Sequence, residues 1–206
     1  MLRLIGRPAA VTTALIVINS LIFAYGMLSH TQSQIIMHYG FVPDELFRDS
    51  NAPLSDSITR LFASMFVHAN ITHIAFNLFA LAYMGGSAER SIGVPRFIAL
   101  YILAGLGGAL LYGAVASYIL LNGDSLLIGA SGAISGVLGI SAAMGDIRGY
   151  YWLAIQVLFA FIGTFAAITI AFMAHVGGFL TALVVTKAMI EHERKKRRWY
   201  SDTFST

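Results

Sequence analysis

One serine and one histidine stand out because each lies in an apolar segment that contains no charged residue. Ser131 lies in the run LIGASGAISGVLG, and His175 lies in the run AFMAHVGGFL. A serine hydroxyl is a weak nucleophile until a neighbouring base takes its proton, and histidine is the commonest such base. The pair therefore suggests nucleophilic catalysis by a serine–histidine dyad. Each residue also has a structural interpretation, because Ser131 could permit close helix packing and His175 could form interhelical hydrogen bonds.

A third polar cluster, HANITHIAFN, contains His68, His73 and Asn77. His73 and Asn77 are four residues apart and share one helix face, whereas His68 is predicted to face elsewhere. Hydrolysis of a peptide bond needs hydrogen-bond donors for the oxyanion of its tetrahedral intermediate. His73, Asn77 and the backbone N–H of Ser131 are the predicted donors. An interhelical polar network is the alternative interpretation, and no metal site is predicted because the two histidines lie on different faces.

The composition indicates which elements position these residues. Of the 206 residues, 57% are hydrophobic and 11% are charged, which is typical of a polytopic helical membrane protein. The chain contains no cysteine, which excludes disulfides, thiolate metal sites and a cysteine nucleophile. We predict an all-α membrane protein with a single domain over residues 1–206. Its six spans cover about residues 9–28, 62–84, 97–121, 126–144, 150–168 and 171–190, with a short basic tail over 191–206.

Basic residues concentrate in the segments that six spans place on one side of the membrane. They are Arg3, Arg7, Arg90, Arg96, Arg148, Lys187 and the cluster Arg194–Arg198. By the positive-inside rule this side is the cytoplasm, so both termini are predicted to be cytoplasmic and the membrane is predicted to be the plasma membrane. The basic tail is interpreted as a topology determinant at the lipid bilayer surface, and no nucleic-acid binding is predicted.

With this orientation, spans two, four and six all run inward from the outer side. Ser131 and His175 then lie about five residues into their spans, roughly 6–10 Å below the outer surface. Together with His73 and Asn77 they predict a shared pocket that opens to the outside. Glu89 lies near a cytoplasmic helix end, at a distance of more than about 10 Å from this pocket. His175 is therefore expected to be oriented by packing or by water instead of a carboxylate.

The same segments resemble the sequence motifs of one family. GASG around Ser131 resembles the GxSG motif of rhomboid intramembrane serine proteases, and AHVGG around His175 resembles their AHxxG motif. HANITHIAFN resembles their HxxxxHxxxN motif, and YMGGSAERSIG resembles the GG…E…G stretch that follows it. YGFVPDELF resembles the start of the first loop of the family. The motifs occur in the expected order, so the chain resembles the minimal six-helix prokaryotic type.

This resemblance implies specific roles for the residues. Ser131 would be the nucleophile and His175 the general base and acid, while His73 and Asn77 would line the oxyanion hole. Supporting roles would belong to His68, Gly129, Gly132 and Glu89, the last a structural one. The substrate would be a single-span membrane protein that is cut near its outer end. No cofactor is expected, and the oligomeric state stays open.

One departure and two alternatives accompany this prediction. Ser135 replaces a tyrosine that often stacks on the catalytic histidine in the family, so His175 is expected to be held less tightly. A proteolytically inactive relative that binds membrane-protein clients is the first alternative, although such relatives usually lack the serine or the histidine. A small proton-coupled carrier or channel is the second, but it would predict inverted repeats or interrupted helices with paired ionisable groups, and the sequence shows neither.

Overall fold

The structure is a computed structural model that describes residues 9–49, 51–166 and 171–204. Over these residues the chain forms nine α-helices, together with a 3₁₀ turn after α4 (Ser64–Phe66) and a π-turn after α6 (Ala116–Leu120). The helices are α1 (Ala10–Leu28), α2 (Gln32–Tyr39), α3 (Pro43–Phe47), α4 (Leu54–Ala63), α5 (Ile71–Ile92), α6 (Val94–Val115), α7 (Ser131–Ala143), α8 (Ile147–Ala166) and α9 (Ala171–Phe204).

Several of these helices are long and apolar enough to cross a membrane. Three of them qualify by length and composition within the described residues: Ala10–Leu28, Val94–Leu120 and Phe172–Thr203. A fourth crossing results if Leu54–Phe66 and Ile71–Ile92, which are bent by 77° at a short break, are counted as one span. The prediction of an all-α, multi-pass membrane protein is therefore confirmed. The six crossings and the cytoplasmic location of both termini stay predictions.

The second predicted span, 62–84, is wrong at its start because the chain is not helical between residues 67 and 70. Asn70 is extended (φ −158°, ψ 174°), and its side-chain oxygen accepts a hydrogen bond from the backbone N–H of His73 at 2.9 Å. An N-cap residue of this kind lies just outside the helix that it begins. Helix α5 therefore starts at Ile71, and His68 lies in the break instead of on a helix face.

The fourth predicted span, 126–144, also begins too early. Leu127 pairs with Phe41 through two backbone hydrogen bonds of 3.0 and 2.9 Å, and Gly129 donates to the carbonyl of Ser64 at 2.8 Å. Gly129 has a φ of +112°, a conformation that glycine adopts readily and other residues do not. This extended segment delays the helix, so Ser131 is its first residue and not about the fifth.

The sixth predicted span, 171–190, continues as a helix well beyond its predicted end. Helix α9 runs to Phe204, so most of the predicted basic tail, 191–206, is helical. Its 34 residues extend over about 50 Å, which exceeds the hydrocarbon core of a bilayer, about 30 Å. The turn predicted between Gly163 and Ala171 falls partly outside the described residues. The first, third and fifth predicted spans overlap α1, α6 and α8.

Helix α7 lies at the centre of the assembly, packed against α5, α6, α8 and α9. Every residue from Gly132 to Ile140 is buried. A Cβ atom added to Gly139 would lie 3.1 Å from the backbone nitrogen of Leu183 on α9, and one added to Gly136 would lie 3.3 Å from the carbonyl oxygen of Gly178. Because these glycines let α7 approach α9 closely, the side chains that flank them can touch.

The end of α5 is fastened to the beginning of α1 by Glu89, which is buried. Its carboxylate accepts hydrogen bonds from the backbone N–H groups of Val11 (3.1 Å) and Thr12 (2.8 Å) and from the Thr12 hydroxyl (2.8 Å). The first turn of a helix leaves such N–H groups without intrahelical acceptors and favours a negative charge. The contacts of Glu89 are therefore those of a helix cap, which is a structural role.

The segment between α1 and α5 is fixed to the connection that leads into α7. Phe41 is fully buried and forms the backbone pair with Leu127. The backbone N–H of Asp44, on α3, donates to the carbonyl of Gly123 at 2.9 Å. These contacts hold the connection in the position from which Ser131 begins its helix.

Candidate active site

Ser131 owes its surroundings to its position at the first residue of α7. The backbone N–H groups of the first helical turn have no acceptor within the helix. No side chain caps this end of α7 in the described part of the chain. These amides, at the positive end of the helix dipole, are therefore available to stabilise negative charge that develops beside the serine.

His175 lies in the second turn of α9, with its Nε2 atom 2.8 Å from Ser131 Oγ. This is a hydrogen-bond distance between a nucleophile and its base. The contact depends on the glycine-lined approach of the two helices, because a Cβ atom added to Gly178 would lie only 2.8 Å from the carbonyl carbon of Gly132. The structure thus brings together the two residues that the sequence selects as a dyad.

The other ring nitrogen of His175 contacts a residue that the sequence did not single out. Gln156, on α8, is 3% exposed, and its side-chain oxygen lies 2.7 Å from His175 Nδ1. An amide oxygen only accepts hydrogen bonds, so Nδ1 carries the proton of the neutral ring. Nε2 is then unprotonated and can accept the proton of Ser131. The expectation that packing or water orients the imidazole is wrong in this respect, because a neutral amide does so.

Aromatic rings flank the imidazole of His175 on α8 and α9. The ring centroid of Trp152 lies 6.5 Å away at an interplanar angle of 34°, and that of Phe172 lies 5.9 Å away at 83°. Ser135 is buried at the position where the family often has its stacking tyrosine. The hydrogen bond to Gln156 and the two rings therefore restrict the imidazole by other means than that tyrosine.

His73 also has a defined tautomer, because one of its ring nitrogens accepts a hydrogen bond from the backbone. The backbone N–H of Ala69 donates to His73 Nδ1 at 3.3 Å. Because Nδ1 accepts, the neutral ring carries its proton on Nε2. This Nε2 atom is directed at the turn before Ser131, since a Cβ atom added to Gly129 would lie 2.6 Å from it. His73 can therefore donate a hydrogen bond close to the nucleophile.

A cleft of about 570 Å³ joins the predicted catalytic and oxyanion residues. His73, Asn77, Ser131 and His175 all line it, and so does Trp152 from α8. The side-chain amide of Asn77 donates to the carbonyl of His73 at 2.8 Å, and an amide NH₂ group has a second hydrogen to donate. The remaining walls are mostly apolar, and the volume is within the range of ligand pockets, about 300–1,000 Å³.

His68 lies behind His73 instead of facing away from it, so that prediction is wrong. The centroids of the two rings are 5.1 Å apart, and His68 is buried. Its backbone carbonyl accepts a hydrogen bond from the side chain of Gln32 on α2. Neither ring nitrogen of His68 has a hydrogen-bond partner among the described residues. The position in the non-helical break makes His68 a packing partner of His73.

The site holds the groups that acyl transfer requires: a hydroxyl, a base whose lone pair faces it, and N–H donors beside both. Across residues 9–49, 51–166 and 171–204, no group of three or more histidines or acids is placed to hold a metal ion.

Residues 55–192 match the family model described as the Rhomboid domain. This range is more than half of the chain and includes Ser131, His175 and Gln156 as well as His73 and Asn77 on α5. The chain belongs to the rhomboid family. Its helical membrane architecture agrees with this membership.

Three relatives show the extent of the similarity. The chain is 38% identical to the rhomboid protease AarA of Providencia stuartii over 87 residues, and this match covers 38% of this chain and 31% of AarA. It is 40% identical over 80 residues to the rhomboid protease GluP of Bacillus subtilis (strain 168), covering 39% of this chain and 14% of GluP. YdcA of the same bacterium, named as a candidate rhomboid protease, is 30% identical over 155 residues, which cover 68% of this chain and 70% of YdcA. The matched region thus spans less than a third of AarA and GluP.

Proposed function

We propose that this rhomboid-family protein is an intramembrane serine endopeptidase that uses Ser131 as its nucleophile and His175 as its general base. The observation that carries the proposal is the distance of 2.8 Å between His175 Nε2 and Ser131 Oγ at the head of a buried helix. Membership of the family and the similarity to proteins named rhomboid proteases support it.

In the first half of the reaction, Ser131 Oγ attacks the carbonyl carbon of the scissile peptide bond while its proton passes to His175 Nε2. The carbonyl oxygen becomes an oxyanion, which the N–H of Ser131 and the side chains of His73 and Asn77 stabilise. When the intermediate collapses, the imidazolium of His175 gives its proton to the leaving amine. The carbonyl carbon stays bound to Ser131 as an ester.

In the second half, a water molecule gives a proton to His175 and attacks the ester carbon. The C–O bond to Ser131 breaks, the serine regains its proton from the imidazolium, and the new carboxylic acid leaves. Gln156 contributes to both halves of the reaction by orienting the imidazole of His175. By accepting from Nδ1–H, it keeps the lone pair of Nε2 directed at the proton that must move.

The proposed substrates are single-span membrane proteins that are cut near the outer membrane surface. The cleft between α5 and α8 is mostly apolar and leads to the dyad, as a site for an unwinding apolar helix requires. The proposed orientation places both termini in the cytoplasm and the protein in the plasma membrane, because the basic segments favour that side. No cofactor takes part in the proposed reaction.

Labelling of the detergent-solubilised protein with a fluorophosphonate tests the dyad, because this probe reacts covalently with activated serines. We expect the wild-type protein to be labelled and Ser131→Ala and His175→Ala to remain unlabelled. Ser141→Ala is the matched control, because Ser141 lies on the same helix and its hydroxyl donates to the backbone carbonyl of Val137. Labelling of Ser131→Ala, or an unlabelled wild type that melts cooperatively, would overturn the proposal.

The substrate class needs its own measurement. We expect a reconstituted single-span protein to be cleaved within or beside its transmembrane segment, and an unfolded water-soluble protein to be cleaved far more slowly. Equal kcat/KM values for the two substrates would contradict the proposed preference while leaving the dyad intact.

A further inference from the structure

A second cavity lies at the end of the helix assembly opposite the dyad. It has a volume of about 270 Å³ and lies where the ends of α5 and α7, the beginning of α6 and the part of α9 from Thr186 to Arg197 meet. We call it the terminal cavity. Its lining combines apolar and charged side chains. The apolar residues are Ile92, Met144, Met189 and Ile190, and the cationic ones are Arg96, Arg194 and Arg197.

The continuation of α9 beyond its apolar part builds one wall of the terminal cavity. The lining residues of α9 recur at spacings of three and four, from Thr186 to Arg197, so they form one helix face. Lys195 and Lys196 lie between Arg194 and Arg197 in the sequence but do not line the cavity. Arg194 and Arg197 of the basic run Arg194–Arg198 thus line the cavity, whereas Lys195, Lys196 and Arg198 do not. Arginine has the planar guanidinium that binds phosphate oxygens in a bidentate manner.

The terminal cavity carries an excess of positive charge. Arg96 forms an ion pair of 2.9 Å with Glu193, and both side chains are about half exposed (52% and 44%), so the pair is weak. Arg194 and Arg197 form no ion pair within the described residues. Three arginines and one glutamate leave a net charge of two positive units, which is complementary to an anion.

A buried hydroxyl provides an independent observation. Thr186 lines the terminal cavity and is 1% exposed, and its Oγ1 atom has no hydrogen-bond partner in the part of the chain that is described. A buried polar group without a partner costs free energy, and native proteins usually supply one. An acceptor oxygen bound in the cavity would supply it here.

The level of the terminal cavity along α9 indicates the source of such an anion. Trp199 and Tyr200 follow Arg197 by one turn or less and are 59% and 48% exposed. Exposed Trp and Tyr side chains next to an apolar span are typical of the membrane–water interface. The cavity therefore lies where the phosphates of one leaflet lie, and basic pockets between helices at this level bind lipid headgroups.

We propose that the terminal cavity binds the phosphodiester of an anionic phospholipid. Arg194 and Arg197 donate to the phosphate oxygens, and the hydroxyl of Thr186, which lies about 12 Å nearer the apolar part of α9 than Arg194, donates to an ester oxygen of the same lipid. The volume is slightly below that of pockets for whole small ligands, about 300 Å³ and above, which suits a headgroup whose acyl chains lie outside along the apolar surface. The site does not depend on the proposed protease activity.

Native mass spectrometry and titration of the full chain in neutral detergent test this site without a membrane surface. The probe is a short-chain phosphatidylglycerol, with the zwitterionic phosphatidylcholine of the same chain length for comparison. We expect Arg194→Gln/Arg197→Gln to raise the Kd for phosphatidylglycerol about thirty-fold, which corresponds to about 1 kcal/mol for each arginine. The control Lys195→Gln/Lys196→Gln removes the same charge from other faces of α9 and is expected to change the Kd by less than about threefold.

Thr186→Val provides a second test of the site, because it removes the buried hydroxyl and keeps the shape of the side chain. We expect it to raise the Kd about fivefold, as the loss of one hydrogen bond does. Equal losses in the two double variants would show an unspecific basic tail and would overturn the proposal. So would equal affinity for phosphatidylcholine, an unchanged Kd in Thr186→Val, or binding of inorganic phosphate as tight as that of the lipid.

Discussion

The contact between Gln156 and His175 leads to a prediction that separates orientation of the base from simple packing. Gln156→Met keeps the length and the unbranched shape of the side chain but removes the oxygen that lies 2.7 Å from Nδ1. Nε2 can accept from Ser131 only while Nδ1 carries the proton. In the variant this tautomer leaves a buried N–H without an acceptor.

The size of the effect follows from that unsatisfied group. A buried donor without a partner costs about 1–3 kcal/mol, which corresponds to a rate reduction of about 5- to 150-fold. Only the active tautomer bears this cost, so we expect kcat to fall and KM to stay the same. Gln156→Glu provides the rescue, because a carboxyl group presents only oxygen acceptors to Nδ1 in its ionised form and keeps a carbonyl oxygen when neutral.

The assay combines pseudo-first-order rates of fluorophosphonate labelling with steady-state cleavage of a single-span substrate and with thermal melting. We expect slow labelling in Gln156→Met, near wild-type labelling in Gln156→Glu, and cooperative melting in both. If Gln156→Met is labelled at the wild-type rate, the amide has no role in the tautomer. If Gln156→Glu melts normally but is labelled as slowly as Gln156→Met, the oxygen is not the group that faces the histidine.

Three further predictions concern the oxyanion donors and the packing of the helices. His73→Ala and Asn77→Ala should each lower kcat by up to about 10²–10³-fold in the cleavage assay; a change below about twofold in both would remove them from the donor set. Glu89→Leu leaves the first turn of α1 without its buried acceptor, so the free energy of unfolding should fall by about 1–3 kcal/mol, measured by denaturation against the milder Glu89→Gln. Gly178→Ala forces a Cβ atom against the carbonyl of Gly132 and should cost about 1–3 kcal/mol. In Gly132→Ala the new Cβ atom would lie 3.4 Å from the carbonyl oxygen of Ala174, so this variant should melt close to the wild-type temperature. Equal melting temperatures of Gly178→Ala and Gly132→Ala would contradict this difference.

Two physical signals in the sequence agree in selecting Ser131 and His175, whose side chains lie 2.8 Å apart in the structure. Ser131 and His175 are polar residues in uncharged spans, and their predicted depths overlap. The glycines around them indicate a close helix contact, which the structure contains. The residues at the beginnings of helices are predicted less well. Asn70 is a good N-cap residue, and it could have placed His68 outside α5.

Gln156 could not be selected by counting residues from the helix ends. It lies ten residues before Ala166, the last described residue of α8, which corresponds to about 15 Å along the axis. His175 lies only about 6 Å from the beginning of α9 by the same measure. The two counted depths differ, yet the side-chain oxygen of Gln156 lies 2.7 Å from Nδ1 of His175, and a glutamine side chain is long. Such a contact depends on the relative heights of two helices, which no local sequence pattern encodes.

The length of α9 has a consequence for where a substrate is cut. His175 and Arg197 belong to one unbroken helix, and the 22 positions from 175 to 197 correspond to about 33 Å, close to the thickness of a hydrocarbon core of about 30 Å. If phosphates of one leaflet hold the arginine end, the helix works as a spacer that fixes the height of the histidine relative to the other leaflet. In a thinner bilayer the dyad would rise among the headgroups, and in a thicker one it would sink below them. The scissile bond should then shift along the substrate helix by one turn for each change of about 5.4 Å in bilayer thickness. The lipid composition would therefore determine which peptide bond of the substrate is cleaved.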